Sequence, residues 1–277
     1  MIKKWLLITV IFLCHGCCEE RNVAFNRCVE DTIRVMTSNP EYDILACSYQ
    51  KVKDIKYVDA LKNVTNVILS DNKISSLEGI SKYKSIKNLS LENNKITQID
   101  GLDSLDNLWA LNLTGNPIKS IEGLCLHKHK LEYIGISGNF NTLSELNGCK
   151  KLKGIRITSS NINELDDLPY IYNSLTQLQV SHSPLKNFGA IDKFILLKNV
   201  SLSNTHIEEL SPLKDLKNIE TLALFNNKKL TDISTIVNFK NLRFLNLTGS
   251  NNIPCKQIDL ISKLNIEKVK LPSECVT

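Results

Sequence analysis

Apolar and polar positions follow a fixed cycle along most of the chain, and the cycle is clearest between Ile86 and Leu124. There the pattern L-x-x-L-x-L-x-x-N-x-I-x-x-I-x-x-L is completed once and begins again about 22 residues later. Leu89 and Leu91 have the spacing of a short strand that turns one side toward a core and the other toward solvent. Asn94 follows at the point where we expect the chain to turn inward.

One such unit cannot bury its own apolar side, so the pattern predicts that successive units stack and share a continuous core. A buried asparagine has two amide donors and a carbonyl acceptor, which suits it to bond the backbones of neighbouring turns. The pattern resembles the leucine-rich repeat, in particular its internalin-like or SDS22-like class. The predicted fold class is therefore an α/β solenoid, a horseshoe of about ten turns with a parallel strand ladder on its concave face.

The repeats continue in register over residues 42–253, which we take as the repeat domain. A strand is expected to begin two residues after each opening residue, and the inward-turn residue follows six residues after the start of the strand in every repeat. The repeats open near Tyr42, Val64, Ile86, Leu108, Leu131, Leu152, Leu175, Leu197, Ile219 and Leu242. The inward-turn positions are Gln50, Asn72, Asn94, Asn116, Asn139, Ser160, Ser183, Thr205, Asn227 and Ser250.

Both ends of the array need a cover, because each end leaves the shared core open. Residues 24–41 are predicted to form a helical N-terminal cap, since Val29, Ile33 and Met36 have helical spacing. Residues 254–277 are predicted to form the C-terminal cap. It would contain a helix with apolar residues Ile258, Leu260, Ile261 and Leu264, followed by an edge strand with Val269 and Leu271.

The first residues are typical of a targeting segment. Lys3 and Lys4 form a short basic region, and the apolar run from Trp5 to Leu13 is too short to cross a bilayer. Gly16-Cys17 then resembles the bacterial lipoprotein signal, in which the cysteine is lipidated and becomes the mature N-terminus. We predict a signal peptide over residues 1–16, lipid on Cys17 and a tether over residues 17–23; ordinary cleavage near Cys18 is the alternative.

The cysteines also indicate export, because cysteines pair in oxidising compartments. The chain has nine cysteines. Position along the repeats predicts three disulfides, which join Cys28 to Cys47, Cys125 to Cys149 and Cys255 to Cys275. The first and last would staple the two caps.

Candidate chemistry is sparse. The tract Cys125-Leu126-His127-Lys128-His129 contains metal-ligand residue types, but pairing of Cys125 with Cys149 is the interpretation we prefer. His182 and His206 fall beside inward turns, where histidine usually faces solvent. The sequence contains no GxSxG, HExxH, phosphate-loop or dinucleotide motif, so we predict no enzyme, no metal and no cofactor.

Charge excludes one further class of partner. The net charge is +5, and it falls to about +3 without Lys3 and Lys4. No basic block with interleaved aromatics appears, so nucleic-acid binding is not expected.

The concave face is the surface that we expect to bind a partner, because its side chains are not needed for folding. Most of them are small and polar, and the residues that we predict to bind a partner are Tyr133, Arg156, Gln177, Gln179, Phe225 and Phe244. Phe244 has an alternative role as a shield for the end of the ladder. The resemblance implies a module that recognises another protein, and a host protein is among the expected partners. We expect the module to be a monomer that its N-terminal lipid holds at the bacterial envelope, in the outer membrane or at the cell surface. The alternatives are a soluble secreted or periplasmic form, a structural scaffold and a carbohydrate-binding solenoid.

Overall fold

The computed structural model describes residues 23–125, 130–166 and 173–276. These residues form one parallel sheet of eleven strands that lie side by side in chain order. The strands are β1 Ile44–Ala46, β2 Asn66–Ile68, β3 Asn88–Ser90, β4 Ala110–Asn112, β5 Tyr133–Ser137, β6 Gly154–Thr158, β7 Gln177–Ser181, β8 Asn199–Ser203, β9 Thr221–Ala223, β10 Phe244–Asn246 and β11 Lys268–Lys270. The predicted α/β solenoid with a parallel strand ladder is confirmed.

The pairing register follows the repeat pattern. Asn88 lies opposite Ala110 and Leu89 lies opposite Leu111, so equivalent residues of neighbouring repeats are partners. Leu89 is 1% exposed and Leu91 is fully buried. The alternation of L-x-L therefore turns every second side chain into the core and leaves the others on the concave face.

The opposite side of the solenoid is made of short 3-10 helices. Their leucines and isoleucines, such as Leu102 and Ile80, are buried and close the core from that side. The 3-10 helices are Asp59–Leu61, Ile80–Lys82, Leu102–Ser104, Ser144–Leu146, Gly189–Lys193, Ser211–Leu213 and Ser234–Asn238. Paired strands lie about 4.8 Å apart, whereas the helical side needs more width for each repeat, so the stack curves with its strands on the concave face.

Buried asparagines connect consecutive turns. The Asn94 side-chain amide donates to the Leu69 carbonyl of the preceding repeat at 2.9 Å and to the Leu91 carbonyl of its own repeat at 3.0 Å. The Asn94 Oδ1 accepts from the backbone N–H of Ile74 at 2.9 Å. Asn116 repeats the same three bonds one turn later. The Leu91 carbonyl therefore accepts from the amides of both Asn94 and Asn116, and the buried Ile74 N–H obtains its partner from Asn94.

The prediction of a buried inward-turn residue is wrong at two positions, because Gln50 and Asn139 are exposed. Gln50 belongs to the first repeat, so no preceding turn presents carbonyls for it to bond. At the fifth repeat the hydroxyl of Ser137 replaces the asparagine amide. Its Oγ lies 3.1 Å from both the backbone nitrogen and the carbonyl oxygen of Asn116.

A helix covers the first strand, as the sequence predicts. Helix α1, Val23–Ser38, packs against β1 and buries Phe25, Val29 and Thr32. Phe25 is fully buried, although the apolar spacing drew attention to Ile33 and Met36, which are only partly buried. The disulfide between Cys28 and Cys47, with Cα atoms 5.8 Å apart, fastens this helix to the first repeat.

The other end is closed by helix α2, Cys255–Ile261, and by β11. The predicted helix is present, and of its apolar residues Ile261 is buried whereas Leu260 is 40% exposed. Leu271 is likewise 45% exposed and lies just beyond β11. The disulfide between Cys255 and Cys275 holds the cap, with Cα atoms 5.0 Å apart.

The third predicted disulfide joins Cys125 to Cys149 in adjacent turns, with Cα atoms 4.9 Å apart. Within the residues that the structure describes, no helix has both the length and the apolar character needed to cross a membrane. The predicted signal peptide, the lipidated Cys17 and residues 17–22 of the tether lie outside the described residues.

Candidate functional site

The strand side chains that point away from the core line a groove of about 530 Å³ along the concave face. The groove extends from β2 to β9, so eight consecutive strands contribute to it. Because the ladder fixes the register, each strand presents its side chains at the same height as its neighbours. The groove is thus a continuous surface, and the side chains that project into it do not pack in the hydrophobic core.

Four of the six predicted binding residues line this groove together on β5, β6 and β7: Tyr133, Arg156, Gln177 and Gln179. Arg156 donates from Nε to Gln179 Oε1 at 3.1 Å, which fixes the direction of both side chains. Tyr133 pairs with Gly154 across the ladder. A Cβ atom at Gly154 would lie 2.6 Å from Tyr133 Cδ1, so the glycine leaves the space that the tyrosine ring occupies.

The other two predicted residues, Phe225 and Phe244, lie outside the groove lining. Phe225 follows β9 and is 42% exposed. Phe244 begins β10 and is half-buried, and Lys268 Nζ lies 6.0 Å from the centre of its ring. This position fits the alternative in which Phe244 shields the end of the ladder, and it leaves Phe225 as an exposed aromatic beside the groove.

The groove lining combines apolar surface with amide and hydroxyl side chains, and it is nearly uncharged. Among the described residues that line it, Arg156 is the one charged side chain. Amides provide most of the polar groups, and they bond one another; Asn88 Nδ2, for example, donates to Asn66 Oδ1 at 2.6 Å. At the margin, Asn112 Nδ2 donates to Glu92 Oε2 at 3.2 Å. Such a surface offers hydrogen-bond donors and acceptors without a strong field.

Sequence reasoning missed Trp109, which lies one residue before β4 and is 42% exposed. Its ring meets the Tyr133 ring edge-on, with centroids 5.1 Å apart and planes at 66°. An interaction with Trp109 also lowers the pKa of the Glu132 carboxyl. The available signal was a large aromatic residue at a position that is charged or small in most other repeats.

An ion pair holds this corner of the site. Lys153 Nζ lies 2.7 Å from Glu132 Oε2, and this hydrogen bond, assisted by Trp109, lowers the pKa of the Glu132 carboxyl. Glu132 in turn raises the pKa of the Lys153 ammonium group. Both groups therefore stay ionised around neutral pH.

The described residues hold no group of three or more His, Cys, Asp or Glu side chains arranged to bind a metal. Cys125 is consumed by its disulfide, while His127 and His129 lie outside the described residues. His182 and His206 are exposed, and His182 adopts a left-handed turn conformation with φ of 53°.

Comparison with known proteins agrees with this geometry. Residues 62–118 match the family model described as leucine rich repeat. Internalin C2 from Listeria monocytogenes is 20% identical, with a TM-score of 0.64, over 71% of this chain and 92% of that structure. An internalin from the same organism, internalin F, is 18% identical with a TM-score of 0.55, and 94% of each chain is covered.

A plant structure has the same fold. The leucine-rich-repeat ectodomain of the Arabidopsis thaliana receptor kinase GASSHO1/SCHENGEN3 is 20% identical, with a TM-score of 0.51, over 75% of this chain and 28% of that one. No curated protein sequence matches the chain. The chain thus has the leucine-rich-repeat solenoid fold that is found in bacterial internalins.

Proposed function

We propose that this protein is a non-enzymatic recognition module that binds another protein through its concave groove. The observation that carries the proposal is the groove itself, where Tyr133, Arg156, Gln177 and Gln179 meet on three adjacent strands. These side chains are not needed to fill the core, and their residue types suit an interface: an aromatic anchor, an arginine and adaptable amides.

The similar structures support a protein partner. The plant ectodomain was solved in complex with CASPARIAN STRIP INTEGRITY FACTOR 2. Bacterial internalins have the same solenoid. Since a fold of this kind hosts many ligands, the partner of this chain has to be inferred from its own groove.

We also propose that the module is exported and held at the bacterial envelope or surface by lipid on Cys17. Three disulfides in the described chain support export, because such bonds form and persist in oxidising compartments. Intact mass of the mature protein tests the anchor. A chain that begins at Cys17 and carries the added mass of acyl groups supports it, and a mature chain without lipid overturns it.

Site-specific photo-cross-linking tests the binding face. We place a photo-reactive amino acid at Gln177, which is exposed and lines the groove, and in a second variant at Val237. Val237 is the matched control because it is 49% exposed on a 3-10 helix of the opposite side. On cells that display the protein, we expect one protein to be cross-linked from position 177 and not from position 237. Equal cross-linking from both positions, or from 237 alone, would place the binding surface elsewhere.

A further inference from the structure

One edge of the groove carries a concentrated positive charge. The edge is formed by the segments that lead into β3, β4, β5 and β6, residues 84–87, 106–109, 130–132 and 150–153. These residues include six lysines and two carboxylates, a net charge of +4, whereas the whole chain carries +5. The lysines are all exposed, and they are Lys84, Lys87, Lys130, Lys150, Lys151 and Lys153. We call this surface the basic edge.

Internal contacts hold part of the basic edge in place without cancelling its charge. Lys84 Nζ donates to the Ser104 carbonyl at 3.0 Å, and Lys130 Nζ donates to Asn107 Oδ1 at 3.2 Å. Both acceptors are neutral, so the ammonium groups remain charged and available to a partner. Lys153 differs, because Glu132 pairs with it at 2.7 Å.

Trp109 lies in the middle of the basic edge and connects it to the groove. Its edge-on contact with Tyr133 holds the indole beside the Glu132 carboxyl, whose pKa it lowers, and 42% of the residue stays exposed. A held, partly exposed tryptophan loses little conformational freedom on binding, which is the property of an interface anchor. A partner in the groove that contacts Tyr133 therefore also reaches Trp109 and the lysines around it.

The charge distribution selects among anionic partners. A nucleic acid or polyanionic glycan laid along the groove would need cations along its whole length, but the described lining residues of the groove carry one charge, on Arg156. The basic edge contains lysine and no arginine, the residue typical of phosphate recognition. An uncharged, amide-rich groove beside a basic edge instead complements a protein surface with neutral and acidic parts.

We propose that the partner is a protein that places an acidic segment on the basic edge and an apolar side chain against Trp109. The proposal rests on the function proposed above and specifies the chemistry of the partner. Lysines contribute mainly to the rate and orientation of association through long-range attraction, while Trp109 contributes to the lifetime of the complex.

Selection from a random peptide library displayed on phage tests the proposal without knowledge of the natural partner. We expect peptides that bind the full chain to contain an excess of Asp and Glu next to an aromatic or aliphatic residue. Binding of the selected peptides should weaken as salt is added, because exposed charges are screened. Selected peptides with no acidic excess would overturn the proposal.

Variants assign the binding to the basic edge. The variant Trp109→Ala should lower the affinity for the selected peptides by about tenfold or more, and so should the double variant Lys87→Glu, Lys150→Glu. The control Lys228→Glu with Lys229→Glu reverses two exposed charges beyond the opposite edge and should change affinity less than about twofold. Circular dichroism confirms that each variant is folded before it is compared.

The remaining outcomes separate this inference from the proposed function. If Arg156→Ala abolishes peptide binding while the basic-edge variants bind like the wild type, the groove is the site and the inference about its edge is wrong. A heparin oligosaccharide or a single-stranded oligonucleotide could bind more tightly than the peptides, with an affinity that Trp109→Ala does not change. In that case the edge is a polyanion site and the inference is wrong as well.

Discussion

Replacing Asn94 by alanine is expected to lower the free energy of unfolding by about 2–3 kcal/mol, because one buried N–H loses its partner, at roughly 1–3 kcal/mol, and two buried carbonyls each lose one of their two amide donors. The N–H is that of Ile74, and the carbonyls are those of Leu69 and Leu91, which keep the amides of Asn72 and Asn116 as donors. Asn94 itself is 7% exposed, so water does not readily replace the lost amide. Urea unfolding followed by circular dichroism measures the change.

Asn139→Ala is the matched control for Asn94→Ala. Asn139 occupies the same position in the repeat pattern, but its side chain is exposed, and its backbone N–H bond to the Ile118 carbonyl survives the substitution. We expect a loss within about 0.5 kcal/mol, as for most surface substitutions. Equal losses in the two variants would contradict the role assigned to the buried asparagines.

Gly138→Ala is expected to be the other severe substitution, with a loss of about 3 kcal/mol or more. Gly138 has φ of +147°, which L side chains rarely adopt, and a Cβ atom there would lie 2.1 Å from the Ile118 carbonyl oxygen. Gly138 forms a bridge with Ile118, so the clash is with backbone and cannot be relieved by a rotamer change.

Gly189→Ala is the control for Gly138→Ala, because a Cβ atom at Gly189 meets nothing within 4 Å. Its stability should stay within about 0.5 kcal/mol of the wild type or rise slightly, since alanine restricts the unfolded chain. Thermal and urea unfolding of both variants give the comparison. A Gly138→Ala protein as stable as Gly189→Ala would mean that the turn at residue 138 differs from the structure.

The strands and their register were predictable because the repeat is periodic. Once Leu89 and Leu91 are assigned to the core, the same assignment applies to Leu111 and Leu113 one repeat later, and the observed pairing agrees. The cysteine pairs followed for the same reason: Cys125 and Cys149 occupy neighbouring turns, and the structure joins them.

The predictions failed where the burial or hydrogen bonding of a residue depends on the neighbouring repeat or cap. Gln50 has no preceding turn to bond, and Asn139 yields its role to the hydroxyl of Ser137. The exposure of Leu260 similarly depends on how helix α2 sits against the last repeat. A pattern read along one repeat does not contain this information.

The concave groove was predictable to the level of the strands. Register alone placed Tyr133, Arg156, Gln177 and Gln179 on one side, and the structure gathers them in the groove. The extent of the groove depends on curvature and on neighbouring side chains, so the exclusion of Phe244 was not readable from the sequence. Trp109 was missed because it precedes its strand and reaches the site through Tyr133.

The central claim is that the groove binds a protein. The most direct test uses the partner protein that is identified by cross-linking from position 177, and it measures the affinity of that partner for an Arg156→Ala, Gln179→Ala double variant. The two side chains bond each other and lie outside the core. We predict a loss of affinity of about tenfold or more, at an unchanged midpoint of thermal unfolding, when the double variant is compared with the wild type. Wild-type affinity in a correctly folded double variant would contradict the account.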